Sequence, residues 1–265
     1  MAVASDIDSE FTPNRPAHIS AEEWALRVDL AACYRIFDHF AWNELIYNHI
    51  TMRVPGPDQT TAHFLINPFG LMYHEVTASN LVKIDLDGTI IGDSDWPVNP
   101  AGFVIHSAIH EHLPQAHCVM HIHTTAGSAV AGKASGLTWT NFYAAQIYDQ
   151  IAYHDFEGVT VNLDEKVRLL ASMGDKRMLI LRNHGLLVWG ETMAEALVRL
   201  WTLHRACEVQ MATDSMAGDN IEIPAAVGEQ ASATALQFSA EFGAGEDVFA
   251  ALKRVIDAKD PSYRS

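Results

Sequence analysis

The sequence predicts a layered α/β domain on a mixed or antiparallel sheet, and three observations lead there. Between residues 45 and 101, short apolar runs such as His63-Phe64-Leu65-Ile66 and Leu81-Val82-Lys83-Ile84 are separated by Pro, Gly, Asn and Asp, the punctuation of strands joined by turns. Segments with helical spacing of apolar residues lie on both sides of these runs. The two kinds of element interleave without a strand-helix-strand rhythm, which argues against an all-parallel sheet.

Residues 1–19 are polar and read as a flexible arm, 20–215 as the main domain and 216–265 as a C-terminal helical extension. The first 20 residues hold Asp6, Asp8 and Glu10 but neither a basic start nor an apolar run, so neither a signal peptide nor a membrane anchor is expected. Ser20 with Glu23 three residues on has the form of a capping box, and Trp24, Leu30, Ala31, Tyr34 and Phe37 continue a helix to about Phe40. The Asp87-Gly88 pair marks a turn after the strand at 81–84. Asn99-Pro100 opens a second helix, which Pro114 forbids from continuing.

A strand-like run with His121 and His123 follows, then a small-residue stretch from 125 to 136 that starts as a helix. Residues 164–173 read as an amphipathic helix, and 179–189 as two strands broken at Asn183-His184-Gly185. A long helix over 192–211 should place Met193, Leu197, Leu200, His204 and Met211 on one side. Two weaker helices are expected at 228–241 and 246–257.

Composition bounds the function. With 265 residues, 49% hydrophobic and 19% charged, the chain is an ordinary globular protein large enough for a sizeable core. A net charge of −16 repels polyanions, so nucleic acid is excluded as a partner. Cys33, Cys118 and Cys207 are odd in number, widely spaced and without a CxxC pair, which fits a reducing cytoplasm better than a disulfide framework. No stretch approaches the apolar length of a membrane span.

The chemistry concentrates in three histidines. His121 and His123 sit two apart in a strand-like run, so both imidazoles share a face, and His184 stands where another apolar run ends in a loop. A single histidine on an apolar strand is more often a hydrogen-bonded core residue than a ligand. Two on one face are harder to bury idly, because each ring nitrogen needs a partner. Three neutral nitrogens with open positions suit one catalytic divalent ion, zinc first, with iron, manganese and cobalt as alternatives.

Four blocks give this chain its resemblance to a known family. They are Asn99-Pro100-Ala101-Gly102-Phe103 leading to His106-Ser107-Ala108-Ile109-His110, then His121-Ile122-His123-Thr124, then Leu181-Arg182-Asn183-His184-Gly185-Leu186, and Thr77-Ala78-Ser79-Asn80-Leu81-Val82-Lys83-Ile84-Asp85. Together, over roughly residues 21–215, they resemble the class II aldolase and adducin head-domain family, the fourth block matching its adducin-type branch. The resemblance implies an αβα sandwich on a mainly antiparallel sheet, a homotetramer, and a metal at a subunit interface held by His121, His123 and His184. It also implies a small-molecule substrate.

Departures from the family pattern matter more. In the family's sugar-phosphate aldolases a glutamate 19 residues before the first ligand histidine is both metal ligand and base; here that position is Gly102. The small residues that cradle phosphate in those enzymes are matched by Tyr47-Asn48-His49-Ile50-Thr51, Phe69-Gly70 and Pro100-Ala101, which argues against a sugar phosphate. Aromatic walls from Phe69, Phe103, Tyr143 and Trp42 are expected instead, favouring a flat or apolar ligand.

By the same resemblance Tyr143 is a candidate general acid contributed by a neighbouring subunit, with simple interface packing the competing role. His106 is expected near the metal in a proton-transfer or supporting role, and His110, four residues on, in surface or packing duty. Asn48, Phe69, Gly70, Ser79, Gly102 and Phe103 are the candidate substrate contacts, with Lys83 a weaker one.

The expected function is a metal-dependent lyase that cleaves a carbon–carbon bond, by decarboxylation or retro-aldol reaction, in an unphosphorylated aromatic or keto/hydroxy acid. Decarboxylation tolerates Gly102, since no base need remove a hydroxyl proton. One alternative is a tri-histidine non-haem Fe(II) oxygenase of an aromatic acid. Another is a non-catalytic assembly protein of the adducin kind, in which ligand histidines are typically lost, whereas all three are present here.

Overall fold

A computed structural model describes residues 15–56, 61–158 and 164–265. Helix α1 (Ala21–His39) starts as expected, with the Ser20 hydroxyl accepting the Glu23 N–H at 3.0 Å. The capping box is only half made. The Glu23 carboxylate instead accepts from Arg27 and Lys83, each at 2.9 Å, so Lys83 is committed to an ion pair rather than to substrate.

Seven strands follow: β1 (His49–Pro55), β2 (Ala62–Ile66), β3 (Val82–Ile84), β4 (Cys118–Ile122), β5 (Ile151–His154), β6 (Met178–Leu181) and β7 (Gly185–Gly190). They form one sheet in the order β3-β2-β1-β4-β7-β6-β5, antiparallel throughout except for the β5–β6 pair. Helices α2 (Pro100–His112), α3 (Thr125–Ala131), α4 (Phe142–Gln146), α5 (Glu165–Met173), α6 (Met193–Asp214), α7 (Ala225–Phe242) and α8 (Glu246–Lys259) complete the fold.

Strand alternation sorts the core into layers. In β4, Cys118, Met120 and Ile122 join the main core with α1, α3, α6 and α8, while Val119 joins a second core with α2 and α5 on the opposite face. The result is the α/β sandwich with a mainly antiparallel sheet that the resemblance implied.

Several expectations need correction. Strand β5 and helix α4 were not legible: four residues give β5 too little alternation, and its place is fixed by parallel pairing with β6, Tyr153 opposite Ile180. Met211 is 41% exposed rather than on the buried side of α6. The C-terminal extension shares the main core through Phe249, Ile256 and Tyr263. Ile19, at the end of the arm, packs with Trp24 and Ala78; residues 1–14 lie outside the described residues. All three cysteines are buried and free. Among the described residues no helix is long and apolar enough to cross a membrane.

Candidate metal centre

Strand β4 carries His121 on the α2 side of the sheet, and the chain leaves the strand at His123. The Asn48 side chain accepts the His123 N–H at 3.0 Å. Asn183 takes a left-handed conformation (φ 54°) to turn β6 into β7, which swings His184 towards the pair. Gly185 is required next: a Cβ there would lie 2.3 Å from the Ile122 carbonyl oxygen. The Ser128 hydroxyl meets the backbone carbonyls of both His123 and His184, at 3.2 and 3.0 Å, and so ties the two ligand segments together.

These constraints bring three Nε2 atoms together. His121 and His123 are separated by 2.6 Å, His123 and His184 by 2.9 Å, and His121 and His184 by 3.2 Å. His121 Nδ1 lies 2.9 Å from the Leu186 carbonyl, which accepts only, so the neutral ring keeps its proton on Nδ1 and leaves Nε2 bare. Burial, then the neighbouring imidazoles, pushes His121 well below the ordinary histidine range and His123 down to about 4; burial lowers His184. Three uncharged rings facing inward from a backbone-fixed frame are a donor set that fits a divalent ion.

The remaining sequence candidates divide. His106 is fully buried under the sheet, bonded to His49 and Thr51 at 2.9 and 2.7 Å. His110 is buried too, with its ring bonded to the Thr51 hydroxyl and the Ala116 carbonyl at 2.7 and 2.8 Å, which rules out the surface role. Gly102 lies beside the site but leaves no open position: a Cβ there would fall 2.3 Å from the His49 ring. Asn48 has both side-chain polar atoms engaged, by the His123 N–H and the Trp42 carbonyl, so it fixes the backbone at His123.

Phe103 packs with Phe64, Ile66, Val82 and Ile84 and lies against Gly88, and Trp42 packs against His204, so neither is a site wall. Both are large apolar groups that core burial claimed first. Ser79 is exposed and its N–H donates to the Ser265 carbonyl at 3.0 Å. Phe69 donates its N–H to Pro97, and Gly70 stands in open space at φ 109°. Tyr143 packs on Trp201 and Phe142 and touches none of the three histidines of its own chain. The side chains of Pro100 and Ala101 lie outside the described residues.

Two residues escaped the sequence reading. His49 is the direct cross-strand partner of His121, with ring centroids 5.2 Å apart. Phe156 stands 6.3 Å from the His184 ring. The signal for His49 was the alternation His49, Thr51, Arg53 on one face of β1, but its meaning depends on register against β4, which spacing alone does not supply.

Comparison with known proteins gives the chain a family. The chain is 44% identical over 250 residues to a protein of Pseudomonas aeruginosa provisionally named an aldolase class 2 protein, covering 94% of this chain and 95% of that one. It is 47% identical over 204 residues to alpha-adducin of Mus musculus, covering 75% of this chain but 27% of the adducin. The solved L-fuculose 1-phosphate aldolase from Glaciozyma antarctica superposes with a TM-score of 0.77 at 30% identity, covering 97% of this chain and 98% of that one. The family model described as Class II Aldolase and Adducin N-terminal domain matches residues 28–211, and the chain belongs to that family.

Proposed function

We propose that this protein is a metal-dependent carbon–carbon lyase acting on an unphosphorylated keto/hydroxy acid. The observation that carries the reading is the convergence of three Nε2 atoms within 3.2 Å, one of them held bare by the Leu186 carbonyl. His121, His123 and His184 would hold one divalent ion, zinc first. Bound there, it supplies positive charge to the oxygen on which negative charge develops as the bond breaks.

The bulk at Tyr47-Asn48-His49-Ile50-Thr51 and Phe69, where the family's sugar-phosphate aldolases keep small residues around the phosphate, supports a substrate without phosphate. Aromatic acids lose their support, because Phe103 and Trp42 are core residues and, among the described residues, Phe156 is the one phenylalanine, tyrosine or tryptophan ring stacked near the three histidines.

The likeness to alpha-adducin supports a second reading, a non-catalytic assembly role. The test is metal analysis of the purified protein, followed by assay of aldehyde and carbon dioxide release from hydroxy and keto acids, with L-fuculose 1-phosphate for comparison. Stoichiometric metal and chelator-sensitive cleavage of an unphosphorylated acid are expected. Cleavage of the sugar phosphate alone sinks the substrate assignment, and bound metal without turnover of any of them favours the assembly role.

A further inference from the structure

A groove of about 860 Å³ opens between α6, α7 and α8. Helix α7 packs on the short α4, where a Cβ on Gly228 would lie 2.4 Å from the Tyr148 ring and Ser232 is bonded to Gln150; these two are its buried residues. Phe142, Leu197 and Trp201 form one wall of the groove, and Phe238 and Phe242, stacked on each other at 4.6 Å, form the other. Helix α7 lies beyond residues 28–211, so this wall is an addition to the family domain.

The groove is too apolar for a face left to water. Phe142, Phe238 and Phe242 are 72%, 61% and 50% exposed. At about 150–250 Å² per ring they leave roughly 300–450 Å² of aromatic surface in solvent, about half of the ~800 Å² that each side of a stable interface buries. Val227 and Val248 extend the patch. Among the described residues Asp247 is the one charged side chain on the walls. Copies of a chain with net charge −16 repel one another, and contact between them is least opposed on a face as poor in charge as this one.

The same chain carries a projection to match. Between α1 and β1, Ala41, Glu44 and Leu45 take left-handed backbone, with φ of 57°, 36° and 58°, a conformation that side chains of this kind resist. The loop turns Leu45 and Tyr47 outward, each more than half exposed, between the buried Trp42 and Asn48. Strain held in this way marks segments whose shape is needed for something else.

We propose that the groove seats the 41–47 loop of a second copy of this chain, with Leu45 and Tyr47 as anchors against Trp201, Phe238 and Phe242. The loop runs directly into Asn48, which holds the His123 N–H, and the groove wall runs directly into Tyr143, whose ring lies on Trp201 at 5.6 Å. Docking therefore brings the second copy's metal centre to the Tyr143 side of the first. The docking stands without the lyase reading; a part for Tyr143 in turnover rests on it.

The test is light scattering and sedimentation of the full-length protein over a range of concentrations, with circular dichroism to check the fold of each variant. Leu45 and Phe238 are exposed, so neither Leu45→Lys nor Phe238→Glu disturbs the core. Each alone should raise the dissociation constant of the assembly about 10-fold or more. The double variant should recover most of that loss, because the new charges meet across the contact. If either charge impairs folding, Leu45→Ala and Phe238→Ala give the same reading with a smaller shift.

A parent that is monomeric throughout, or a Phe238→Glu protein that assembles like the parent, overturns the proposal. Dissociation by Phe238→Glu but not by Leu45→Lys, or a double variant no better than the singles, takes the loop out of the groove. Two further measurements exclude other occupants. Removing residues 2–14 should leave the assembly intact, and native mass spectrometry of the parent should show no small molecule that Phe238→Glu loses. The opposite result in either gives the groove to the N-terminal arm or to an apolar ligand and overturns the assignment. None of these readouts requires a substrate, so a failed lyase assay leaves them decisive.

Discussion

The Asn48 side-chain carbonyl holds the backbone N–H of His123 at 3.0 Å, and its amide holds the Trp42 carbonyl, so one buried side chain links the end of β4 to the loop after α1. Among the described residues the His123 ring has no carbonyl acceptor of the kind that orients His121, and its placement depends on this backbone tie and on Ser128. Asn48→Ala should therefore weaken metal binding about 10–100-fold, the usual cost of losing a group that orients a ligand. Competition against a chromophoric chelator measures it; an unchanged affinity would show that β4 alone fixes His123.

At Gly102 any side chain collides with an imidazole. Gly102→Ala sets a Cβ 2.3 Å from the His49 ring, and relief requires moving a buried histidine that is bonded to His106. We expect a loss of about 1–3 kcal/mol in urea unfolding, with His121, His123 and His184 still able to load metal. Gly102→Glu should cost more and should displace His49. A Gly102→Glu protein as stable as the parent, with His49 unmoved, would mean the helix shifts freely at this point.

These two positions show what was legible in the sequence. The convergence of His121, His123 and His184 was readable because a two-residue strand spacing and a strand-end histidine encode geometry locally, and the Ser20 cap and the α2 start at Pro100 are local in the same way. His49 was hidden because its place arises from the β1–β4 register, which pairs it with His121 across 72 residues of chain. Two of the expected aromatic walls were misplaced for a related reason: Phe103 and Trp42 carry aromatic surface that either a cleft or a core can use, and only packing decides between them.

The buried histidines set the acid limit of the fold. His110 is lowered to about 3 and His204 to about 4, both chiefly by burial, against an ordinary value of 6.5. The unfolded chain thus takes up protons before the folded one does. Stability from these groups is complete above the unfolded value and is lost as pH falls from 6.5 towards 3 to 4, at up to about 1.4 kcal/mol per pH unit for each group. Urea unfolding with a chelator present, so that metal release does not contribute, should show a clear drop between about pH 6.5 and about pH 5. A flat profile across that interval would show that the rings are already charged in the folded protein.

Tyr143 decides whether the site is complete in one chain. Its ring lies on Trp201 at 5.6 Å, its neighbour Phe142 is 72% exposed, and neither touches the ligand histidines of the same chain. A role as general acid therefore requires a second subunit to bring the hydroxyl in, and an exposed phenylalanine beside it is the kind of anchor a subunit interface buries. We predict a homotetramer by light scattering. Separately inactive His184→Ala and Tyr143→Phe proteins, unfolded and refolded together, should regain part of the parent activity, because some interfaces then pair an intact triad with an intact tyrosine. A fully active monomer, or a Tyr143→Phe protein with unchanged kcat, would leave Tyr143 as a packing residue only.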